Sequence, residues 1–306
     1  MKFTVMVPCS TSNLGAGFDA IGIALGGPDL IVRVRDGGAG LHIGRIQGEG
    51  EDRLPKDESN RILVAARNAA ESAGLDPRGL EGELDVHSSI PLKRGLGSSA
   101  TAALAGALIA DRLLGGKIGQ ERILATAVAL EGHPDNVVPS LLGGAQVSVR
   151  DGSGQVRSCA IPLGMTLKAA LYVPDEELST SAARAVLPQQ VPLADAVHNL
   201  GRSALFVAAL AQGRADLLGE AMDDRLHQPA RAGLLPWLPR LLDVARKAGA
   251  AGAALSGAGT TVCALCTPES AKQVALAMLE AATRLGVAGR SEVVEVGVPG
   301  ARIVSE

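Results

Sequence analysis

Apolar and polar residues follow two different periods along this chain, and both recur from one end to the other. Apolar positions three and four residues apart predict α-helices, and apolar positions two apart predict β-strands. The helical period covers residues 60–73, 98–114, 120–130, 180–187, 195–212, 214–222, 236–248 and 268–285. The strand pattern covers residues 2–8, 29–35, 83–87, 141–149, 167–173, 250–256, 261–266 and 291–297. Because helices and strands do not alternate regularly, the α+β class is predicted rather than a doubly wound sheet.

Two irregular stretches interrupt this pattern. Residues 36–58 are rich in Gly, Asp and Glu, which predicts a hairpin followed by a surface loop. Residues 151–154 (Asp-Gly-Ser-Gly) precede a restart of the pattern, so we expect two domains, 1–152 and 153–306. A length of 306 residues agrees with two domains of medium size.

Composition narrows the class of protein. Hydrophobic residues make up 47% of the chain and aromatic residues only 2%, and the net charge is −3. The charge balance shows no basic footprint for nucleic acid, and the scarcity of aromatic side chains argues against RNA binding by base stacking. No uninterrupted apolar run reaches the roughly 18 residues of a membrane span, and the start of the chain lacks a signal-peptide pattern. We therefore expect a cytoplasmic protein with no nucleic-acid or membrane partner.

Two of the cysteines are spaced like a redox or metal-binding pair, but their surroundings predict that they pack in the core. Cys263 and Cys266 have C-x-x-C spacing, but they lie in the apolar run 261–267, with no second Cys or His cluster near them in the sequence. Buried free cysteine behaves as a small hydrophobic residue, so core thiols are expected in place of a redox or metal pair.

Residues 91–101 (Pro-Leu-Lys-Arg-Gly-Leu-Gly-Ser-Ser-Ala-Thr) form the strongest candidate for chemistry. They stand between a predicted strand and a long Ala-rich helix, where glycines permit close backbone approach and the helix start offers unpaired N–H groups to an anion. The alternative is an ordinary glycine turn with a serine N-cap. A Walker A loop is excluded because no Gly-Lys-Ser/Thr follows, and a dinucleotide-binding βαβ unit is disfavoured because a second helix follows the first. We expect a phosphate cradle.

Two other glycine-rich segments are weaker when each is taken alone. Residues 8–19 (Pro-Cys-Ser-Thr-Ser-Asn-Leu-Gly-Ala-Gly-Phe-Asp) predict a substrate loop, with an ordinary Asx turn as the alternative. Residues 255–261 (Leu-Ser-Gly-Ala-Gly-Thr-Thr) separate two predicted strands and permit close backbone approach.

In this order and spacing, the three segments resemble the signatures of the GHMP kinases. Residues 131–137 (Glu-Gly-His-Pro-Asp-Asn-Val), 178–180, 183–184 and 228–231 make the resemblance closest to the homoserine kinases of that family. The resemblance covers essentially the whole chain. It implies an N-terminal α+β half with an S5-like left-handed βαβ crossover and a ferredoxin-like C-terminal half. It also implies transfer of the ATP γ-phosphate to the side-chain hydroxyl of L-homoserine, a step of threonine biosynthesis.

The same resemblance implies a set of site residues, with ATP and Mg²⁺ as cofactors. The ATP contacts implied are Pro91, Leu92, Lys93, Arg94, Gly95, Leu96, Gly97, Ser98, Ser99, Ala100, Thr101, Asn60 and Thr180. The residues expected to act in catalysis are Glu131, Ser99 and Asn136, of which Glu131 and Ser99 are expected to hold Mg²⁺. The homoserine contacts implied are Asn13, Asp19, His133, Asn136, Arg184 and Arg231. In this set Asp19 suits the substrate ammonium, and the two arginines suit its carboxylate.

Three questions stay open at this point. Mevalonate-type members of the family use an Asp that matches Asn136, whose amide cannot accept a proton. Either Asp135 is the general base or the hydroxyl proton passes directly to the γ-phosphate, and the second is our hypothesis. The substrate could be another small alcohol such as mevalonate or shikimate, or the chain could be a silent ligand-binding relative. Related enzymes are often dimers, yet the sequence does not determine whether this chain forms a homodimer.

Overall fold

The computed structural model describes residues 2–305 of the chain. Its strands are β1 (Phe3–Asn13), β2 (Gly17–Arg35), β3 (Leu41–Gly48), β4 (Gly82–Ser88), β5 (Ala145–Arg150), β6 (Val156–Ile161), β7 (Lys168–Pro174), β8 (Gly252–Leu255), β9 (Val262–Cys266), β10 (Gly289–Glu295) and β11 (Arg302–Ser305). Its α-helices are α1 (Arg61–Ser72), α2 (Ser98–Leu113), α3 (Gln120–Glu131), α4 (Val137–Leu142), α5 (Thr180–Ala185), α6 (Leu193–Gln212), α7 (Leu218–Ala221), α8 (Gln228–Ala232), α9 (Leu238–Lys247) and α10 (Ala271–Arg284). Among the described residues, no helix combines the length and apolar character that a bilayer crossing requires.

The first sheet has seven strands, and its central strand is β2. The order runs β11-β1-β2-β4-β3, and β5 and β6 extend the sheet from the first half of β2. Every pairing in it is antiparallel except that of β3 with β4. Parallel neighbours need a crossover connection, which α1 supplies. The expected hairpin within residues 36–58 is therefore wrong, because β3 pairs with a strand beyond the next helix.

Small side chains allow the helices of this half to pack closely. Helix α2 buries five alanines, Leu104, Ile109, Thr101 and Gly106. A Cβ atom on Gly106 would stand 2.1 Å from the Ile62 carbonyl oxygen in α1, so α1 and α2 touch through backbone. This contact explains how a chain with so few aromatic residues fills its core.

The second sheet carries the C-terminal half. Its order is β10-β7-β9-β8, and all three pairings are antiparallel. Numbered within this half, the order is fourth, first, third, second, as in a ferredoxin-like sheet. Cys263 and Cys266 lie buried in β9, and burial raises the pKa of Cys266 to about 11. The prediction of core thiols is confirmed for this pair.

Several boundaries differ from the sequence pattern. Residues 8–19 form a β-hairpin instead of a loop, because β1 and β2 continue to the turn at residues 14–16. The strand expected over 141–149 begins only at β5, since α4 occupies the earlier residues. Strands β6 and β11 were not predicted, and both pair within the first sheet although they lie beyond residue 152. The division into domains 1–152 and 153–306 stays a prediction.

Candidate active site

A cleft of about 650 Å³ opens where the turn after β1, the loop before α2, and helices α5 and α8 meet. Predicted site residues that line it are Asn13, Asp19, Pro91, Lys93, Arg94, Gly95, Leu96, Gly97, Ser98, Ser99, Glu131, His133, Asn136, Thr180, Arg184 and Arg231. Lining residues that the sequence did not assign to a ligand are Ser12, Asp135, Gly257 and Ala258. Four predicted ATP contacts lie outside this lining, namely Leu92, Ala100, Thr101 and Asn60. Tertiary structure thus brings together residues from both halves of the chain.

The loop before α2 leaves the start of that helix open. Gly97 is the N-cap residue, in the left-handed region at φ +75°, and no side chain caps the helix. The serine N-cap considered above is therefore wrong, because Ser98 is already the first helical residue. Uncapped N–H groups at a helix start bind anions. Lys93 lines the cleft beside them, with a side chain about half exposed and an ammonium 3.6 Å from the Glu177 carboxylate.

The third glycine-rich segment, residues 255–261, is hydrogen-bonded to the loop before α2. The Ser256 hydroxyl donates to the Gly95 carbonyl at 2.6 Å, and the Thr261 N–H donates to the Arg94 carbonyl at 3.2 Å. The Gly257 N–H donates to the Ser12 carbonyl at 2.9 Å and joins the segment to β1. Segments from three distant parts of the sequence therefore share one hydrogen-bonded framework.

Arg94 and Asn60 have structural partners that the sequence did not indicate. The Arg94 guanidinium donates to the carbonyls of Leu92, Pro174 and Asp175, at 2.9, 2.7 and 2.6 Å. Asn60 caps α1 by accepting from the Ile62 N–H at 3.0 Å. Both polar groups therefore hold the backbone in place.

Ser99 and Glu131 meet at the edge of the cleft. The Ser99 hydroxyl donates to a Glu131 carboxylate oxygen at 2.6 Å. Arg61, which the sequence did not single out, forms an ion pair with the same carboxylate oxygen and donates to the Leu130 carbonyl at 2.7 Å. Two oxygen donors from α2 and α3 thus lie side by side at the start of α2.

The two predicted arginines differ in environment. Arg184 makes a two-pronged ion pair with Asp19, at 2.6 and 3.0 Å, and is partly exposed. Arg231 is 1% exposed, and burial together with the positive charge of Arg184 lowers the pKa of Arg231 to about 10. Its guanidinium donates to the carbonyls of Gly257 and Ala183 at 2.9 and 3.2 Å. Both guanidinium groups line the cleft.

Partly buried His133 and fully buried Asp135 form a pair facing this region. The His133 Nδ1 donates to Asp135 at 2.5 Å. Burial opposes charge on the imidazole, but the hydrogen bond and charge of Asp135 outweigh it and hold the pKa of His133 above its ordinary value. Burial likewise acts to raise the pKa of Asp135, yet the hydrogen bond and charge of His133 keep it below its ordinary value. The hydrogen bond between them therefore favours the imidazolium–carboxylate form of the pair.

The side-chain amides of Asn13 and Asn136 form hydrogen bonds to other groups of the protein. The Asn13 Nδ2 donates to the Gly257 carbonyl at 2.7 Å, and its Oδ1 accepts from the Asp19 N–H at 2.9 Å. The Asn136 amide is buried among hydroxyls of β1, accepting from Ser12 and donating to Ser10, both at 3.0 Å. These contacts position Asp19 and join the two walls of the cleft.

Phe18, in the predicted substrate segment 8–19, contacts both arginines and stacks on His227, which the sequence did not assign to a ligand. The Phe18 ring stacks on His227 with centroids 5.0 Å apart, and the guanidinium carbons of Arg184 and Arg231 lie 5.8 and 5.4 Å from its centroid. His227 is fully buried, and burial lowers its pKa to about 4. It donates from Nε2 to the Gly15 carbonyl at 2.9 Å and accepts at Nδ1 from Arg231 at 3.0 Å. The only sequence signals were a Phe between small residues and a His directly before residues 228–231.

The sequence is similar to those of known proteins over nearly its whole length. Family models described as GHMP kinases N terminal domain and GHMP kinases C terminal match residues 60–144 and 206–283. A homoserine kinase of Prochlorococcus marinus (strain MIT 9215) is 39% identical over 303 residues, covering 98% of this chain and 95% of the relative. A homoserine kinase of Moorella thermoacetica is 43% identical over 285 residues, covering 92% and 93%.

Solved structures agree with this assignment. The crystal structure of homoserine kinase from Cytophaga hutchinsonii superposes with a TM-score of 0.86 at 30% identity, covering 99% of this chain and 97% of that one. Mevalonate kinase of L. major in complex with R-mevalonate superposes with a TM-score of 0.69 at 16% identity, covering 95% of each chain, and so shares the fold. With this fold, this cleft and these matches along nearly its whole length, the chain belongs to the GHMP kinase family.

Proposed function

We propose that this protein transfers the γ-phosphate of ATP to the side-chain hydroxyl of L-homoserine. The observation that carries the proposal is a cleft with an uncapped helix start at one end and paired charges of both signs at the other. Homoserine is a zwitterion, so its ammonium requires a carboxylate and its carboxylate requires a cation. The near full-length similarity to curated homoserine kinases supports the same substrate. The cytoplasmic location stays a prediction from the sequence.

The helix-start end of the cleft suits the phosphates of ATP. The N–H groups at the start of α2 provide fixed partial positive charge, and the flexible ammonium of Lys93 provides a mobile one. Thr180, at the start of α5, lines the cleft and offers a hydroxyl donor. Phosphoryl transfer depends mainly on such positioning and charge stabilisation.

The residues at the start of α2 also fit Mg²⁺. Ser99 and Glu131 offer a hydroxyl and a carboxylate oxygen 2.6 Å apart, the hard donors that this ion prefers, and Mg²⁺ takes few ligands from protein. When bound, Mg²⁺ neutralises charge on the phosphate oxygens during transfer. Glu131 orients the Ser99 hydroxyl by accepting a hydrogen bond from it, and Arg61 limits the freedom of the Glu131 carboxylate.

The charged end of the cleft suits the amino-acid part of the substrate. We assign the α-carboxylate to the guanidinium groups of Arg184 and Arg231, whose planar donors match a carboxylate. We assign the ammonium to the carboxylates of Asp19 and Asp135, which lie with His133 within 4.8 Å of one another. Because Asp19 and Arg184 already pair with each other, the zwitterion replaces this contact with two equivalent ones.

The proposed activity is tested by measuring ADP release with ATP, Mg²⁺ and each of L-homoserine, mevalonate and shikimate. We expect turnover with L-homoserine alone. Turnover of mevalonate or shikimate without homoserine would assign the chain to another small alcohol. ATP binding with no turnover of any of the three substrates would favour a silent relative.

The Asp135→Asn variant tests how the hydroxyl proton leaves. A carboxylate with a lowered pKa and hydrogen bonds to His133 and the Asn136 N–H is a weak proton acceptor, so we expect kcat within about tenfold of wild type. The KM for homoserine should rise, because the variant carries one negative charge fewer at the ammonium subsite. A fall in kcat of about 10²- to 10⁴-fold with ATP and homoserine binding intact would instead require a general base.

The Phe18→Leu variant tests whether the aromatic ring holds the two arginines. Loss of the ring removes both guanidinium–π contacts, so we expect the KM for homoserine to rise about tenfold, with little change in kcat or in the KM for ATP. Phe18→Tyr keeps the ring and should restore the wild-type KM. Equal behaviour of the Leu and Tyr variants would show that only the bulk of the side chain matters.

A further inference from the structure

Most of the hydrogen-bond donors of the buried Arg231 are used by the protein itself. Of the five N–H groups of a guanidinium, three have acceptors here. Nε donates to the Ala183 carbonyl at 3.2 Å, and Nη1 donates to the Gly257 carbonyl at 2.9 Å and to His227 Nδ1 at 3.0 Å. The two N–H groups of Nη2 have no acceptor within residues 2–305. Because Arg231 lines the cleft, the donors that remain for a ligand are those of Nη2.

The protonation state of His227 follows from the groups around its ring. Its Nε2 lies 2.9 Å from the Gly15 carbonyl oxygen and 3.5 Å from the Asp224 carboxylate, and both of these groups are acceptors. Its Nδ1 faces Nη1 of Arg231, which can only donate. The ring is therefore neutral, with its proton on Nε2, and burial favours the same form by lowering the pKa of His227 to about 4. Nδ1 is thus an acceptor directed at Arg231.

Asp224 fixes the backbone from which His227 and Arg231 extend. Its fully buried carboxylate accepts hydrogen bonds from the N–H groups of residues 226–228, at 2.9, 3.0 and 2.7 Å, and from the Asn199 amide at 2.7 Å. His227 is the N-cap residue of α8, and the Arg231 N–H donates to its carbonyl at 3.0 Å. Residues four apart lie on the same side of a helix, so the imidazole stands directly beside the guanidinium.

His227 also contacts the segment on the other side of the proposed amino-acid subsite. Its Nε2 donates to Gly15, in the turn between β1 and β2, and its ring stacks on Phe18. Asp19, which we assign to the substrate ammonium, is the next residue along the chain. One imidazole therefore contacts both Arg231 and the segment that carries Asp19.

We propose that His227 is a positioning residue, which holds Nη1 of Arg231 so that Nη2 presents its donors to the α-carboxylate of the substrate. This inference rests on the proposed function and adds to it a residue outside the cleft lining. A neutral acceptor suits this role, because a carboxylate in the same place would form an ion pair with the guanidinium and compete with the substrate. His227 thereby determines how strongly the cleft prefers an amino alcohol with a carboxylate over one without it.

Asparagine and glutamine at residue 227 separate the two hydrogen bonds of the imidazole. The asparagine amide oxygen lies about where Nδ1 does and can accept from Arg231. The glutamine side chain is one carbon longer, so its amide nitrogen lies about where Nε2 does and can donate to Gly15. Both variants remove the ring that stacks on Phe18, so comparing them isolates the contact with Arg231. We expect the KM for L-homoserine to be about tenfold higher in His227→Gln than in His227→Asn, with similar kcat and KM for ATP.

A competitor without a carboxylate distinguishes positioning of Arg231 from general damage to the cleft. 3-Aminopropan-1-ol has the hydroxyl and ammonium of homoserine but no carboxylate, and it is measured by its inhibition constant against L-homoserine. We expect this constant to be the same in His227→Asn and His227→Gln. His198→Asn and His198→Gln are the matched controls, since His198 lies outside the cleft lining and pairs with Asp223 at 3.1 Å. Both controls should keep the wild-type KM for L-homoserine.

The outcomes separate this inference from the proposed function. A wild-type protein that does not turn over L-homoserine would refute the function itself. In an active protein, equal KM values for the His227→Asn and His227→Gln variants would overturn the positioning role, as would a parallel rise of KM and inhibition constant in His227→Gln. Thermal melting reports whether each variant is folded. His227→Leu, which also lacks an acceptor, replaces His227→Gln in the comparison if the glutamine variant does not fold, and the same tenfold difference in KM is expected.

Discussion

Replacing Glu131 by glutamine is expected to lower kcat about 10³-fold and leave the KM for homoserine nearly unchanged. The amide keeps the size of the side chain and can accept the Ser99 hydroxyl, but it removes the negative charge that we assign to Mg²⁺. Homoserine binding should persist because its proposed contacts lie on other elements. The Mg²⁺ concentration for half-maximal activity should rise, and calorimetry should show weaker Mg²⁺ binding in the presence of a non-hydrolysable ATP analogue.

Glu121→Gln is the matched control for this variant. It makes the same change on the same helix, at an exposed residue in the first turn of α3. We expect wild-type kinetics for Glu121→Gln. If Glu131→Gln kept the wild-type Mg²⁺ dependence and binding, Glu131 would not be a metal ligand, and its role would be limited to orienting Ser99 and Arg61.

Replacing Gly95 by alanine is expected to abolish measurable ATP binding. Gly95 has φ +74°, and an added Cβ would stand 2.0 Å from the Ser256 carbonyl oxygen. Backbone cannot yield as a flexible side chain does, so either the loop or the 255–261 segment must move. That movement would separate the Ser256 hydroxyl from the Gly95 carbonyl and displace the start of α2. Fluorescence titration with a labelled ATP analogue measures the loss, and thermal melting reports the state of the fold.

Gly74→Ala separates backbone strain from steric clash. Gly74 has nearly the same φ, +70°, but nothing lies within 4 Å of an added Cβ. It should lower stability by about 1–2 kcal/mol, the cost of a left-handed alanine, and leave ATP binding intact. Retained ATP binding in Gly95→Ala would show that the contact with Ser256 does not determine the shape of the loop.

The glycine-rich segments were visible in the sequence, but the contacts between them were not. Periodicity correctly predicted most helices, including α2 and the approximate bounds of α6, because helix formation depends on neighbours three and four residues apart. It missed the continuation of β1 through Ser10, Thr11 and Ser12. Such small polar residues are typical of loops, and here they are buried in a strand because their hydroxyls meet residues 136 and 256.

The roles of polar side chains in the cleft likewise depend on residues that are distant in the sequence. Arg94 lies in a motif that predicts phosphate binding, yet its guanidinium donates hydrogen bonds to the carbonyls of residues 174 and 175. Phe18 lies in the predicted substrate segment 8–19, but the sequence does not indicate that its ring contacts both arginines and stacks on His227. A motif records which residue types occur together in the chain, whereas a side chain's partners depend on how distant segments pack.

Local sequence was therefore sufficient for the α+β class, the resemblance to a kinase family and the composition of the loop before α2. These depend on short-range spacing and on residue chemistry, which folding does not change. Only long-range packing determines the parallel pairing of β3 with β4, the hydrogen bond between residues 95 and 256, and the burial of Arg231. It also established that one face of α6 points outward, because hydrophobic periodicity predicts an apolar side without saying whether the protein's own core covers it.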